Sequence, residues 1–211
     1  MAKKKNPIRL LIVDDHPAFR MGLSALVESQ SDLHVVAEAA DGQQALEMYR
    51  VHQPNVVLMD LRLPVMSGVE AIIALRKEFP AANVIVITTF DWDEDIYRAI
   101  QSGAKSYLLK DATHDEIVET IRAVNSGQTR LPANVADRLG QRLQREELSP
   151  REHEVLVLLT KGRSNKEISA ELRLSEDTVK YHLKTLFTKL GVQDRTQAAI
   201  NAIRHGIVHL E

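Results

Sequence analysis

The residues best able to do chemistry stand at the ends of apolar runs. Asp14 and Asp15 follow Ile8–Val13, Asp60 follows Val56–Met59, Thr88 follows residues 84–87, and Lys110 follows Ser106–Leu109, a run that also holds Tyr107. Parallel strands are buried on both faces and read as near-continuous apolar stretches, and open α/β sheets gather their chemistry at the strands' carboxyl ends. If these strands are neighbours, three carboxylates, one hydroxyl and one ammonium share one sheet edge. Mg²⁺ takes oxygen ligands, typically one or two carboxylates with waters and substrate oxygens. A carboxylate can also act as a nucleophile and form an acyl phosphate, while a metal and a cation absorb the charge on the phosphoryl oxygens. Lys110 is the natural cation, and Thr88 is placed to hydrogen-bond the transferred group. Taken singly, each residue has a plainer use: an Asp-Asp pair caps a helix, and a tyrosine half-fills a core. The combination is what points to phosphoryl chemistry with Mg²⁺, or another divalent ion such as Mn²⁺.

Helical patterns alternate with the apolar runs. Residues 19–29, 42–52, 68–79, 94–102 and 115–125 carry apolar side chains at three- and four-residue spacing, and Leu33–Ala39 supplies a fifth strand. Asp41 and Ser67 are expected N-caps, and Pro80, Gly103 and Gly127 stand where helices stop. Five βα repeats imply a parallel sheet with helices on both faces. Residues 126–132 read as a break, and 134–147 as a polar, helix-prone linker. From Leu148 onward there is no strand pattern and four helices follow. Ser149-Pro150-Arg151-Glu152 and Ser164-Asn165-Lys166-Glu167 are capping boxes, and Ser175 caps a helix beginning Glu176-Asp177. The divisions expected are 6–126, a linker at 127–147, and 148–211.

Composition narrows the class. The chain has 211 residues and no cysteine, which excludes a disulfide framework and a Cys-bearing zinc module. Lys3-Lys4-Lys5 could open a signal peptide, but the apolar run behind it ends at Asp14, too soon for a secretory core or a membrane span. A cytoplasmic protein with no membrane partner is expected. The net charge is -2; residues 148–211 carry ten Lys/Arg and eight Asp/Glu (+2), leaving seventeen and twenty-one (-4) for the rest. That asymmetry is slight support for nucleic-acid binding.

The spacing of the C-terminal helices adds more. Residues 165–172, a turn at Arg173-Leu174-Ser175, and residues 176–190 have helix-turn-helix spacing. Val179, Leu183, Leu186 and Leu190 fall on one face of the second helix, with Lys180, Tyr181, Lys184, Thr185 and Thr188 opposite. Basic and hydroxyl side chains opposite an apolar stripe suit a helix in the major groove. His205 and His209, four apart, form a metal pair only if a further ligand lies nearby.

Two resemblances sharpen these readings. Leu11-Ile12-Val13-Asp14-Asp15-His16-Pro17, Leu58-Met59-Asp60-Leu61-Arg62-Leu63-Pro64 with Gly68, Ile87-Thr88-Thr89-Phe90-Asp91, and Gly103-Ala104-Lys105-Ser106-Tyr107-Leu108-Leu109-Lys110-Asp111 resemble the receiver domain of bacterial two-component response regulators. The likeness implies a flavodoxin-like (βα)5 fold with sheet order 2-1-3-4-5. It makes Asp60 the phosphoacceptor, with Asp14, Asp15, Asp60 and the Arg62 backbone carbonyl holding the metal. Thr88 and Tyr107 become a switch pair, and Lys110 contacts the phosphoryl group. Ser106 stands where this family often has Gly, and Leu63 where Met is common. Residues 148–205 resemble a LuxR-type helix-turn-helix, with Ser169 in place of the usual Ala. By that likeness Lys180, Tyr181 and Lys184 are base-edge candidates, while Thr178, Lys166, Asn165 and Lys189 meet the DNA backbone.

Together the two halves resemble the NarL/FixJ class of response regulators. The resemblance implies a transcription regulator, not an enzyme with an external substrate, phosphorylated by a sensor histidine kinase. It would bind double-stranded promoter DNA as a homodimer, at least when phosphorylated, with RNA polymerase as an optional partner. The output is dimerisation or release of the recognition helix, and residues 195–205 are the candidate dimer contact. Two rivals stay open: a receiver that only dimerises, and an aspartyl phosphatase. The second places an acid two residues after the nucleophile, where this chain has Arg62, which cannot serve as that acid.

Overall fold

A computed structural model describes residues 6–89 and 91–209; Lys3-Lys4-Lys5, Phe90 and the last two residues lie outside the described residues. The chain divides into two compact units, one of residues up to Asp91 with Ile96–Ala136, the other of Trp92–Asp95 with residues from Asp137 on.

The first unit alternates β1 (Ile8–Val13), α1 (Pro17–Glu28), β2 (Leu33–Ala39), α2 (Gly42–His52), β3 (Val56–Met59), α3 (Gly68–Glu78), β4 (Val84–Thr88), α4 (Asp93–Gln101), β5 (Ser106–Leu109) and α5 (His114–Asn125). The five strands are parallel in the order β2-β1-β3-β4-β5, the flavodoxin-like arrangement. Leu10, Ile12, Leu58 and Ile85 pack with Leu23 and Val27 of α1 and Ile117, Ile121 and Val124 of α5. The alternate residues Leu11, Val13, Val57 and Met59 are buried as well, so both sheet faces are covered. That is why these strands look apolar throughout in the sequence.

Local chemistry sets the helix ends. The Asp41 side chain accepts from the Gln44 N–H, and Ser67 forms a reciprocal capping box with Glu70. Thr113 does the same with Glu116, opening α5 one residue earlier than apolar periodicity alone indicates. The start of α1 differs more: it begins at Pro17, not residue 19, because the ring's fixed φ suits the first helical position and its missing N–H would be unpaired there anyway.

After α5 the chain runs along the β5 edge. The Arg130 N–H donates to the Lys105 carbonyl at 3.2 Å, and the Ser106 hydroxyl donates to the Arg130 carbonyl. A helix, α6 (Ala133–Leu143), occupies most of the expected linker.

The second unit holds α7 (Pro150–Thr160), α8 (Asn165–Leu172), α9 (Glu176–Leu190) and α10 (Arg195–Arg204). Val155, Leu156, Leu159, Ile168, Val179, Leu183, Leu186, Ala198 and Ala202 form its core. The Ser149–Glu152 and Ser164–Glu167 capping boxes are both present, Ser175 caps α9, and Gly191 ends it with φ 65°. No helix among the described residues is long and apolar enough to cross a membrane.

Candidate functional site

The strand order reverses between β1 and β3, so a crevice opens beyond their carboxyl ends. Register places the acids there. Val13 is level with Met59, and the Asp60 N–H donates to the Val13 carbonyl at 2.9 Å, so Asp14 and Asp60 leave adjacent strands side by side. On the other flank Thr88 is level with Leu109, and the Lys110 N–H donates to the Thr88 carbonyl at 2.8 Å.

Lys110 then reaches across the sheet edge. Its Nζ lies 2.6 Å from Asp14 Oδ2 and 2.6 Å from Asp60 Oδ2, with all three side chains nearly buried. Burial by itself lowers an ammonium's pKa, but hydrogen bonds to Asp14 and Asp60 outweigh it and hold Lys110 above its ordinary value. The Phe19 ring sits 4.6 Å from the same nitrogen, a cation–π contact that sequence reading missed. Arg20, also missed, donates to the Asp14 carbonyl and to Glu38, tying the first turn of α1 to the acid pair.

Gly68 explains why the β3–α3 loop can close on the site. A Cβ there would fall 2.0 Å from the Asp60 carbonyl oxygen and 2.8 Å from the Leu61 Cα, and the Gly68 N–H donates to the Leu61 carbonyl. Val65 in the same loop has φ 65°, an unfavourable backbone for a β-branched residue. The Arg62 N–H lies 3.2 Å from Asp60 Oδ1, and Arg62 lines a cavity with His16, Phe19, Asp60, Thr89 and Lys110.

Donor atoms of Asp14, Asp15, His16 and Asp60 all lie within 4.8 Å of one another, a group able to hold a metal ion. Three carboxylates against one ammonium leave two uncompensated negative charges, the deficit a divalent cation fills. Asp15 Oδ1 is buried without a hydrogen-bond partner. The donor set therefore fits a divalent metal. His16 was quoted in the sequence only as part of a motif; its place directly after two acids was the available signal. The Thr88 hydroxyl is likewise buried without a partner, and Tyr107 is fully buried. His205 and His209 belong to no such group of three among the described residues.

In the second unit the structure sorts the nominated DNA residues. Lys180, Tyr181, Lys184 and Lys166 are exposed, Thr178 and Asn165 half-buried. Tyr181 keeps 68% of its surface free although its ring meets His182 edge-on, with centroids 5.8 Å apart. Lys180 also pairs with Asp177 at 3.0 Å, an exposed contact that water screens. Lys189 stands apart from that face: its Nζ lies 2.8 Å from the buried Glu152 carboxylate and 3.0 Å from the Glu147 carbonyl. Within residues 195–205, the candidate dimer contact, Ala198 and Ala202 face the core, while Ile200 is 57% exposed. Helical periodicity shows a stripe without saying what covers it.

Comparisons with known proteins agree with this geometry. The family description "Response regulator receiver domain" matches residues 10–122, and "Bacterial regulatory proteins, luxR family" matches residues 146–202. The transcriptional regulatory protein LiaR of Bacillus subtilis (strain 168) is 40% identical over 210 residues, covering 96% of this chain and all of that protein. Among solved structures, the response regulator ChrA of a heme-sensing two-component system is 37% identical with a TM-score of 0.59, covering 97% of this chain and all of that one. A two-component response regulator RcsB–DNA complex is 25% identical with a TM-score of 0.70, covering 93% and 98%. The chain belongs to the NarL/LuxR family of response regulators, transcription regulators in which a receiver domain is joined to a LuxR-type helix-turn-helix and DNA binding depends on phosphorylation.

Proposed function

We propose that Asp60 is the phosphoacceptor through which a sensor histidine kinase controls promoter binding by this chain. The observation that carries the reading is the convergence of Asp14, Asp60 and Lys110 within 2.6 Å contacts at the sheet's switch point. An Asp60 carboxylate oxygen attacks the phosphorus of the donor phosphohistidine, the P–N bond breaks, and the imidazole departs with the electron pair. The product is an acyl phosphate on Asp60. Asp14, Asp15, Asp60 and the Arg62 carbonyl hold a divalent ion, Mg²⁺ or Mn²⁺, which when bound offsets charge on the phosphoryl oxygens. Lys110 contributes its ammonium to the same oxygens, and its pairing with Asp60 keeps it in place beforehand.

Thr88 and Tyr107 form the switch. The buried, unpartnered Thr88 hydroxyl supplies a donor for a phosphoryl oxygen, and Tyr107 occupies the inward position of such a pair. Phosphorylation then shifts the population between two arrangements of the β4–β5 edge. Lys180, Tyr181 and Lys184 read base edges while Lys166, Asn165 and Thr178 meet phosphates. Two copies bind two half-sites about one helical turn apart. RNA polymerase is the partner such a regulator acts upon.

Acetyl phosphate with Mg²⁺ tests the acceptor. Wild-type chain should gain one phosphoryl group and bind its operator more tightly, and Asp60→Ala should do neither. Labelling of Asp60→Ala would refute the assignment.

A further inference from the structure

We propose that His16 is a ligand of the metal in the acceptor site, through Nδ1, and that it biases the site toward divalent ions that accept nitrogen over Mg²⁺. The proposal rests on the reading of Asp14, Asp15 and Asp60 as the metal-holding acids and extends it to the ion chosen.

His16 Nδ1 lies 2.7 Å from Asp15 Oδ1 and 3.4 Å from Asp14 Oδ1. The shorter contact is an ion-pair distance, and it brings the ring nitrogen into the acid cluster. One donor atom each of Asp14, Asp15, His16 and Asp60 lies within 4.8 Å of the others, close enough for all four to surround one ion. Neighbouring ligands of an octahedral ion with bonds of ~2.1 Å stand about 3 Å apart. The backbone helps hold the ring in place: the His16 N–H donates to Asp14 Oδ1 at 2.8 Å, and Pro17 fixes the chain direction immediately after it. The imidazole is otherwise 68% exposed, so it fills no core position that would explain its location.

Imidazole changes the preference of an otherwise all-oxygen site. Mg²⁺ is a hard cation that binds oxygen and keeps its waters, whereas affinity for nitrogen-bearing sites rises from Mn²⁺ through Co²⁺ to Ni²⁺. A neutral imidazole also adds a donor without adding charge, so it strengthens binding of the later ions without deepening the repulsion among the acids.

The test uses the full chain and the metals alone. Mg²⁺, Mn²⁺ and Ni²⁺ affinities are measured by calorimetry at one pH for wild type, His16→Ala and Asp15→Asn, with the Ni²⁺ absorption spectrum recorded in parallel. His16→Ala should weaken Ni²⁺ by at least about tenfold, a loss in the range seen when a metal ligand's support is removed. Mg²⁺ should change by less than threefold, roughly, since the oxygen ligands that it prefers remain. The Ni²⁺ absorption should shift as a nitrogen ligand is lost. An unchanged Ni²⁺-to-Mg²⁺ affinity ratio in His16→Ala overturns the role of His16 and leaves the acceptor site standing. Ni²⁺ binding that survives Asp15→Asn lies elsewhere on the chain and also overturns it. Failure of every ion to bind wild type would sink the acid-site reading itself.

Discussion

Replacing Lys110 and replacing Asp60 should move stability in opposite directions, although the two residues form one ion pair. At an effective dielectric constant of 20, each 2.6 Å contact of Lys110 with a carboxylate is an attraction of about 6 kcal/mol. Asp60 also lies within 4.8 Å of both other acids, so each repulsion is at least about 3.5 kcal/mol on the same scale. For Asp60→Asn, roughly 6 kcal/mol of attraction is lost and roughly 7 kcal/mol of repulsion is relieved. The buried carboxylate's desolvation cost disappears as well, which leaves the metal-free variant neutral to about 2 kcal/mol more stable. Lys110→Met removes two attractions and relieves no repulsion among the acids. Recovered desolvation of the ammonium offsets only part of this, so a loss of about 3–5 kcal/mol is expected, the scale of breaking a buried pair.

The assay is native-state amide exchange of the β1 and β3 amides in EDTA at low salt, which reads the first unit separately from the second. Saturating Mg²⁺ should stabilise wild type by about 3 kcal/mol at a hundredfold excess over Kd and Asp60→Asn by less. If Lys110→Met proves as stable as Asp60→Asn without metal, the electrostatic account of the site is wrong.

Further expectations concern single contacts. Gly68→Ala should shift the Asp60 backbone and abolish acetyl-phosphate labelling, since the added carbon meets a carbonyl oxygen at 2.0 Å; full labelling would show that the loop yields freely. Lys166→Ala should weaken operator binding and lower the slope of log affinity against log salt by up to ~1, whereas Lys189→Ala should leave that slope unchanged and destabilise the helical unit by about 1–3 kcal/mol. Burial raises the Glu152 pKa, but hydrogen bonds from Lys189 and Ser149 outweigh it and bring the value below the usual 4.5. Its stabilising contribution is therefore whole above about pH 4.5 and is lost as pH falls through the depressed folded value, and urea titrations of Glu152→Gln should lack that acid limb.

The strands and their acids were readable because burial on both faces writes itself as unbroken apolar runs, and because Asp14, Asp60 and Lys110 each follow such a run directly. Helix caps were readable for the same local reason: Ser149, Ser164 and Ser175 sit one residue before the helices they cap. What escaped was set by partners distant in sequence. Nothing near Lys189 in the sequence tells that it pairs with Glu152, 37 residues away. Phe19 reveals its cation–π contact only once Lys110 crosses the sheet edge. Ala198 and Ala202 fall on one face of α10 and Ile200 on another, but only packing shows which face is covered.

The two serines that depart from the family pattern carry the same lesson in a testable form. Ser106, where Gly is frequent, is fully buried and donates to the Arg130 carbonyl, fastening the chain after α5 to the edge strand that carries Tyr107. Ser169, where Ala is usual, donates to the Leu174 carbonyl at 2.6 Å and closes the turn between α8 and α9. Neither change is mere tolerance of a small polar group: each hydroxyl satisfies a carbonyl oxygen beside a functional element. Ser169→Ala and Ser106→Ala should each cost about 1 kcal/mol in their own unit, the usual net value of one such bond. Their consequences diverge because the bonds hold different things. Ser169→Ala should weaken DNA affinity alike with and without beryllofluoride, since it loosens the presentation of α9. Ser106→Ala should raise amide exchange at Arg130 and lower the ratio of the two affinities, because movement at β5 reaches the following segment through that bond. Equal effects of the two variants on that ratio would mean that the Ser106 contact holds the chain in place without transmitting anything.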